Sequence, residues 1–131
     1  MTATALPFLM FQGGKAEEAM RFYVSLFEDG SIEAVDRFGA GEQGEGSIKT
    51  ARFRVAGQSV MCFDSPVPHA FDFTPSFSFF VTLDDEAEQD RLIAALGEGG
   101  EMLMEPGDYG FSRKFAWLRD RFGLSWQLNL P

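Results

Sequence analysis

Several kinds of residue are scarce in this chain, and each scarcity excludes something. There is one cysteine, Cys62, and one histidine, His69, among 131 residues. A single thiol cannot form an intrachain disulfide and fits a reducing compartment. A single imidazole rules out a zinc site assembled from several His and Cys ligands of one chain. A metal would have to rest mainly on carboxylates, and Asp64, His69 and Asp72 are the candidates that lie close together in sequence. Cations are also few: eleven Lys and Arg face twenty Asp and Glu, for a net charge of −9. They are dispersed rather than clustered, so neither nucleic acid nor an anionic membrane surface is an expected partner. No apolar run approaches the roughly 20 residues of a membrane span. The opening residues lack the basic start and apolar core of a signal peptide, so a cytoplasmic protein is expected.

Apolar and aromatic side chains, by contrast, are abundant: 45% of residues are hydrophobic and fifteen are Phe, enough for a substantial core. Their order repeats. A run Leu6–Phe11 reads as a strand buried on both faces. From Lys15 to Phe27, Ala16, Ala19, Met20, Tyr23, Val24 and Phe27 recur at steps of three and four, the spacing of an amphipathic helix. Asp29-Gly30 ends it, with glycine as a left-handed cap. Strands follow at Ser31–Phe38, Ile48–Val55 and Ser59–Asp64, the last two joined through Ala56-Gly57-Gln58. After a connection at Ser65–Thr74 the order recurs. A strand spans Phe77–Leu83, Asp84-Asp85 caps a helix over Glu86–Leu96 with Leu92, Ile93 and Leu96 inward, and strands lie at Glu101–Met104, Phe111–Leu118 and Leu124–Leu130. Two copies of strand, helix, strands imply two similar modules and a cleft where they face each other, a common place to hold a small molecule.

Individual motifs carry less. Gly39-Ala40-Gly41-Glu42-Gln43-Gly44 has the glycine spacing of a dinucleotide loop. A β-alternating segment follows it, and Glu42 and Glu45 would repel phosphate, so it reads as a mobile hairpin tip. Ser65 and His69 lie four apart without the Gly-x-Ser-x-Gly elbow of a hydrolase. Cys62 has no basic neighbour and reads as an inert buried thiol, with Asp64 on the same side of its strand. Phe22, Phe27, Phe53, Phe79, Phe115 and Phe122 read as core. Trp117, Trp126 and Tyr109 have polar tips that need partners when buried. With Phe8, Met10 and Gln12 they suit a pocket for a flat or apolar organic molecule.

Two strings are distinctive: Phe8-Leu9-Met10-Phe11-Gln12-Gly13-Gly14-Lys15-Ala16-Glu17-Glu18-Ala19-Met20-Arg21-Phe22-Tyr23, and Asp120-Arg121-Phe122-Gly123-Leu124-Ser125-Trp126-Gln127. With Asp64-Ser65-Pro66 after the fourth strand, they resemble the glyoxalase/bleomycin-resistance/dioxygenase group, or vicinal oxygen chelate superfamily. Within it they resemble the PhnB-like branch, often labelled 3-demethylubiquinone-9 3-methyltransferase. The resemblance spans nearly the whole chain. It implies an α+β fold of two tandem β-α-β-β-β modules, with curved mixed sheets forming a shared cleft. It also implies a single domain over 1–131, with modules at about 5–66 and 75–131, assembled as a homodimer.

Metalloenzymes of this superfamily place ligands on the first and fourth strands of each module. Those positions fall here on Phe8, near Cys62, on Ser78 and on Gln127, a set from which no metal or other cofactor is expected. The reading is a small-molecule-binding protein holding an apolar or aromatic ligand. Its candidate contacts are Phe8, Met10, Gln12, Cys62, Asp64, Ser78, Phe80, Trp117 and Gln127, with Gln12 and Gln127 orienting the ligand by hydrogen bonds. The alternatives are a metal-dependent lyase or dioxygenase using Cys62, Asp64 or His69, and the methyltransferase of the family label.

Overall fold

Residues 2–131 are described by a computed structural model. The chain divides between Asp72 and Phe73 into two compact units. The first contains β1 (Phe8–Phe11), α1 (Ala16–Leu26), β2 (Ser31–Arg37), β3 (Ile48–Val55) and β4 (Gln58–Asp64). The second contains β5 (Ser78–Thr82), α2 (Glu86–Gly97), β6 (Glu101–Gly107), β7 (Lys114–Arg119) and β8 (Ser125–Leu130). The sheets have the same topology, β1-β4-β3-β2 and β5-β8-β7-β6. In each, the first and last strands pair in parallel and the other neighbours are antiparallel. This is the α+β arrangement of two tandem β-α-β-β-β modules anticipated above. Among the described residues no helix is long and apolar enough to cross a membrane.

Helix α1 lies on β3 and β4 and buries Ala16, Ala19, Met20 and Tyr23, one stripe at helical spacing. Val24, expected inward, is half-exposed, and Leu26 is buried in its stead. The helix end also differs from expectation. Gly30 does not adopt a left-handed backbone, and glycine is required there for space: a Cβ would sit 1.9 Å from the carbonyl oxygen of Val24. Glu17 on the outer face of α1 takes Arg37 of β2 at 2.7 Å and Arg21 at 3.0 Å. Those hydrogen bonds, Arg37 first, lower its carboxyl pKa to about 2.

Helix α2 is capped by Asp85, whose carboxylate accepts from the Ala87 N–H at 3.3 Å. It buries Leu92 and Leu96 and leaves Ile93 half-buried. Its third inward residue is polar. Gln89 is fully buried and donates through Nε2 to the Lys114 and Leu128 carbonyls at 3.0 and 3.1 Å, clamping the helix to β7 and β8.

Strand β1 begins at Phe8 rather than Leu6 and is not covered on both faces: Leu9 and Phe11 are buried while Phe8 is 53% exposed. It is an edge strand, paired only with β4. At the other sheet's edge, β6 runs three residues beyond the expected Met104, through Pro106 to Gly107. Its pairing with β7 is irregular there, and an edge position tolerates the proline. Strand β7 starts at Lys114, which leaves Phe111 outside the sheet and 62% exposed.

The β3–β4 connection is a two-residue turn. Ala56 and Gly57 have φ of 48° and 80°, the left-handed pair that suits the twist of a tight hairpin. Ala56 is the one non-glycine residue with positive φ among those described, and Asp29 holds it there, accepting from the Ala56 and Gly57 N–H groups at 2.8 and 2.7 Å.

Candidate functional site

Strand register decides which candidate residues share a surface. In the first unit Phe8 lies beside Met61 and Met10 beside Phe63, whereas Leu9 lies beside Cys62 and Phe11 beside Asp64. Cross-strand neighbours share a face. Phe8, Met10, Met61 and Phe63 therefore form one face, with the Phe8 and Phe63 rings 4.8 Å apart. Cys62 and Asp64 point to the other face, into the core under α1. The sequence reading grouped Cys62 and Asp64 with Phe8; the structure separates them and supplies Met61 and Phe63.

Asp64 is 3% exposed, and its two oxygens accept from the Ala16 N–H at 2.8 Å and the Ile48 N–H at 2.9 Å. It anchors the first turn of α1 to the start of β3. Burial, with the Asp64 charge adding to it, pushes the Cys62 thiol up to about 12. Native protein at pH 8 should therefore resist iodoacetamide at Cys62 and react promptly once denatured; fast labelling of the folded form, followed by mass spectrometry, would contradict this placement.

Gln12 is also occupied. Its amide oxygen accepts from the His69 N–H at 2.7 Å and its Nε2 donates to the Phe71 carbonyl at 2.9 Å, which pins the connection after β4. His69 stacks on Phe71 at 4.8 Å and meets Ser65 Oγ through Nε2 at 2.9 Å. The Ser65 hydroxyl also donates to the Val67 carbonyl at 2.8 Å, which engages it within its own turn.

A cavity of about 460 Å³ adjoins these residues, lined by 12–14, 44, 45, 47 and 64–68. Its polar side chains are already engaged inside the protein. Ser47 donates to Gly44 O, and Glu45 accepts from the Gly41 N–H. The glycine-spaced loop beside it is tied by internal hydrogen bonds rather than being a bare hairpin tip. Glu42 and Glu45 occupy the Gly39 and Gly41 N–H groups, donors that a phosphate would need.

In the second unit the register gathers what the sequence reading proposed. Ser78 lies beside Ser125, Phe80 beside Gln127, and Gln127 beside Trp117, so all four candidates of this unit share one face. Val81, Ala116, Leu118, Trp126 and Leu128 alternate to the other face, buried on the side where α2 contacts β7 and β8. On the first face a polar chain runs across three strands. Trp117 Nε1 donates to Ser125 Oγ at 2.8 Å, the Ser125 and Ser78 hydroxyls are 2.6 Å apart, and Gln127 Nε2 donates to Ser78 Oγ at 3.1 Å. Phe80, 57% exposed, leans on Phe115 at 6.3 Å. Phe111 and Tyr109 close around Phe115 at 5.0 and 6.3 Å. Ser125 and Phe115 were absent from the sequence-derived site; strand alternation from Gln127 and Trp117 was the available signal.

The acidic residue of the second distinctive string is structural as well. Asp120 is 3% exposed and accepts from the Phe122 and Leu124 N–H groups and from Trp126 Nε1, at 2.8, 3.1 and 2.9 Å. It shapes the β7–β8 turn and fixes the buried indole.

Residues 3–129 match the family model described as 3-demethylubiquinone-9 3-methyltransferase. The chain belongs to this family. The PhnB protein of Bacillus cereus, itself described under the same methyltransferase heading, is 46% identical, with a TM-score of 0.93 over 98% of this chain and all of that one. Protein PA1353 from Pseudomonas aeruginosa is 29% identical, with a TM-score of 0.84 over 98% of each chain. A glyoxylase/bleomycin resistance protein/dioxygenase domain from Frankia sp. EAN1pec shares the fold at 13% identity, with a TM-score of 0.67 over 99% of this chain and 98% of that one. No curated protein matches.

Members of the wider glyoxalase-like fold suggest a metal, and the donors here do not fit one. Phe8 offers carbon, Cys62 faces the core with a raised pKa, and Ser78 and Gln127 offer a hydroxyl and an amide. Among the described residues no three His, Cys, Asp or Glu side chains are grouped to hold an ion. The methyltransferase in the family's description likewise finds no doubly wound parallel sheet in this fold.

Proposed function

We propose that this member of the family is a small-molecule-binding protein that works without a metal. Its ligand, apolar or aromatic in its body, lies on the sheet face carrying Ser78, Phe80, Trp117 and Gln127. The observation that carries this reading is the pairing on one face of an exposed aromatic ring with a polar chain that is already ordered. A half-buried indole and Phe80 offer flat area at little conformational cost, and Gln127 sits beside them to orient a polar group. The Phe8–Phe63 pair with Met10 and Met61 is the corresponding apolar face of the first sheet. Gln12, Cys62 and Asp64 act as structural residues in this reading, because their polar groups are engaged or buried elsewhere.

Ligand-observed NMR against a set of aromatic fragments tests it. Saturable binding that is lost in Phe80→Asp, with the fold retained, is the expected result; fragments that ignore this substitution would sink the assignment. Stoichiometric metal in freshly purified protein, or saturable binding of S-adenosylmethionine, would favour the enzyme readings. The same proposal takes the protein as a cytoplasmic homodimer, and sedimentation at the 14.6 kDa of a single chain would remove the dimer.

A further inference from the structure

The face that carries Ser78, Trp117 and Gln127 also carries Arg119, whose Cα is the register partner of Ser125. Most other cations of this chain have carboxylate partners, while the exposed Arg113 donates to the Pro131 carbonyl. Arg37 holds Glu17, Arg52 holds Glu33, Arg54 reaches Asp29, and the half-buried Lys114 bridges Glu86 and Asp90. Arg119 is half-buried and makes one hydrogen bond, from Nη2 to the neutral Phe73 carbonyl at 3.2 Å. Its cross-strand neighbour Glu101 forms no ion pair with it, nor does any other carboxylate among the described residues. In a chain with a net charge of −9, a partly desolvated guanidinium without a counter-charge is a donor fork with most of its hydrogens unused.

A second observation points the same way. An indole N–H can only donate, so Trp117 gives the polar chain a direction. Ser125 accepts from Trp117 and is fully buried, and its hydroxyl hydrogen goes to Ser78; the reverse orientation would leave that hydrogen buried and unpaired. Ser78 then accepts from both Ser125 and Gln127, and its own hydrogen is left over. If the Gln127 amide is turned end for end, Ser78 donates to its oxygen and the amide NH₂ becomes the unused donor. The chain ends in a donor under either arrangement, on the same face as Arg119.

We propose that the ligand is an organic anion, an aromatic carboxylate or its equivalent, with its acidic group held by Arg119 and the Ser78 end of the chain. Its flat body would lie toward Trp117 and Phe80. This rests on the reading of that face as a small-molecule site. The guanidinium fork matches a carboxylate in two parallel hydrogen bonds, and partial burial strengthens the attraction over its value in water. The acidic surface elsewhere repels the same anions, so this face is a local exception to the charge of the molecule.

Calorimetric titration with two probes of one shape, 2-naphthoate and 2-naphthamide, separates the two claims. The carboxylate is expected to bind about 10-fold or more tightly than the amide, as a charge-assisted hydrogen bond implies. Arg119→Gln should abolish that preference while leaving amide binding in place. Arg119→Lys keeps the charge without the fork and should retain part of the preference, which guards against a Gln variant that fails to fold. Equal affinities for the two probes, or a preference that survives Arg119→Gln, would overturn the anion assignment while the aromatic site stood. Binding of neither probe would overturn both.

Discussion

Replacing Asp120 by alanine should cost about 3–5 kcal/mol in urea denaturation, a large share of the stability of a domain this size. Three N–H donors converge on that one carboxylate, and two of them, from Leu124 and Trp126, belong to fully buried residues. Removing the acceptor leaves donors that water reaches poorly, at about 1–3 kcal/mol each. The β7–β8 turn also loses the group that sets its backbone. A loss below about 1 kcal/mol would show that the turn holds its shape without the carboxylate. The acidic residue that helps to mark the family is thus a folding residue, and its presence in a relative says nothing about catalysis.

The second large effect comes from a nearly isosteric change, Gln89→Glu. Both Gln89 donor hydrogens face carbonyl oxygens, at 3.0 and 3.1 Å, in a site closed to solvent. A carboxylate there would oppose two carbonyls with nothing to neutralise it. The expected loss is about 3–5 kcal/mol at pH 7, as for other uncompensated buried charges. The pH dependence follows from the sign of the shift. Burial raises the folded-state pKa of the new carboxyl above its unfolded value of about 4.3. The penalty is therefore small below that pH and grows as pH rises toward the folded value. Stability curves of variant and wild type should draw together near pH 4 and separate above it. Parallel curves across that range would mean the side chain had swung out to water.

Much of the fold was legible because it rests on local periodicity. The stripe of Ala16, Ala19, Met20 and Tyr23 could only be one face of a helix, and the repeated element order pointed to twin modules. What escaped was face parity. Strand β4 alternates Val60 and Cys62 with Met61 and Phe63, all apolar, so the pattern does not tell inside from outside. Only the parallel pairing with β1 settles that Phe8 accompanies Met61. The engagement of Gln12 is invisible in the sequence for a related reason. The backbone groups that consume its amide lie 57 and 59 residues along the chain, beyond any local signal. In the second unit the face is legible in the sequence, because Ser78, Phe80 and Gln127 alternate with Phe79, Val81, Trp126 and Leu128. Nothing in the sequence singles out Arg119, because its significance lies in having no counter-ion, a property of the folded surroundings.

The two indoles differ in a way that gives the protein its own optical reporters. Trp126 is 1% exposed and tied to a carboxylate, whereas Trp117 is half-buried with its N–H on a serine. Acrylamide should quench the second and spare the first, and emission from Trp126 should move to the red only when the chain unfolds. A Trp117→Phe chain would then report unfolding alone. The difference between its spectrum and that of the wild type would isolate events at the surface of the sheet.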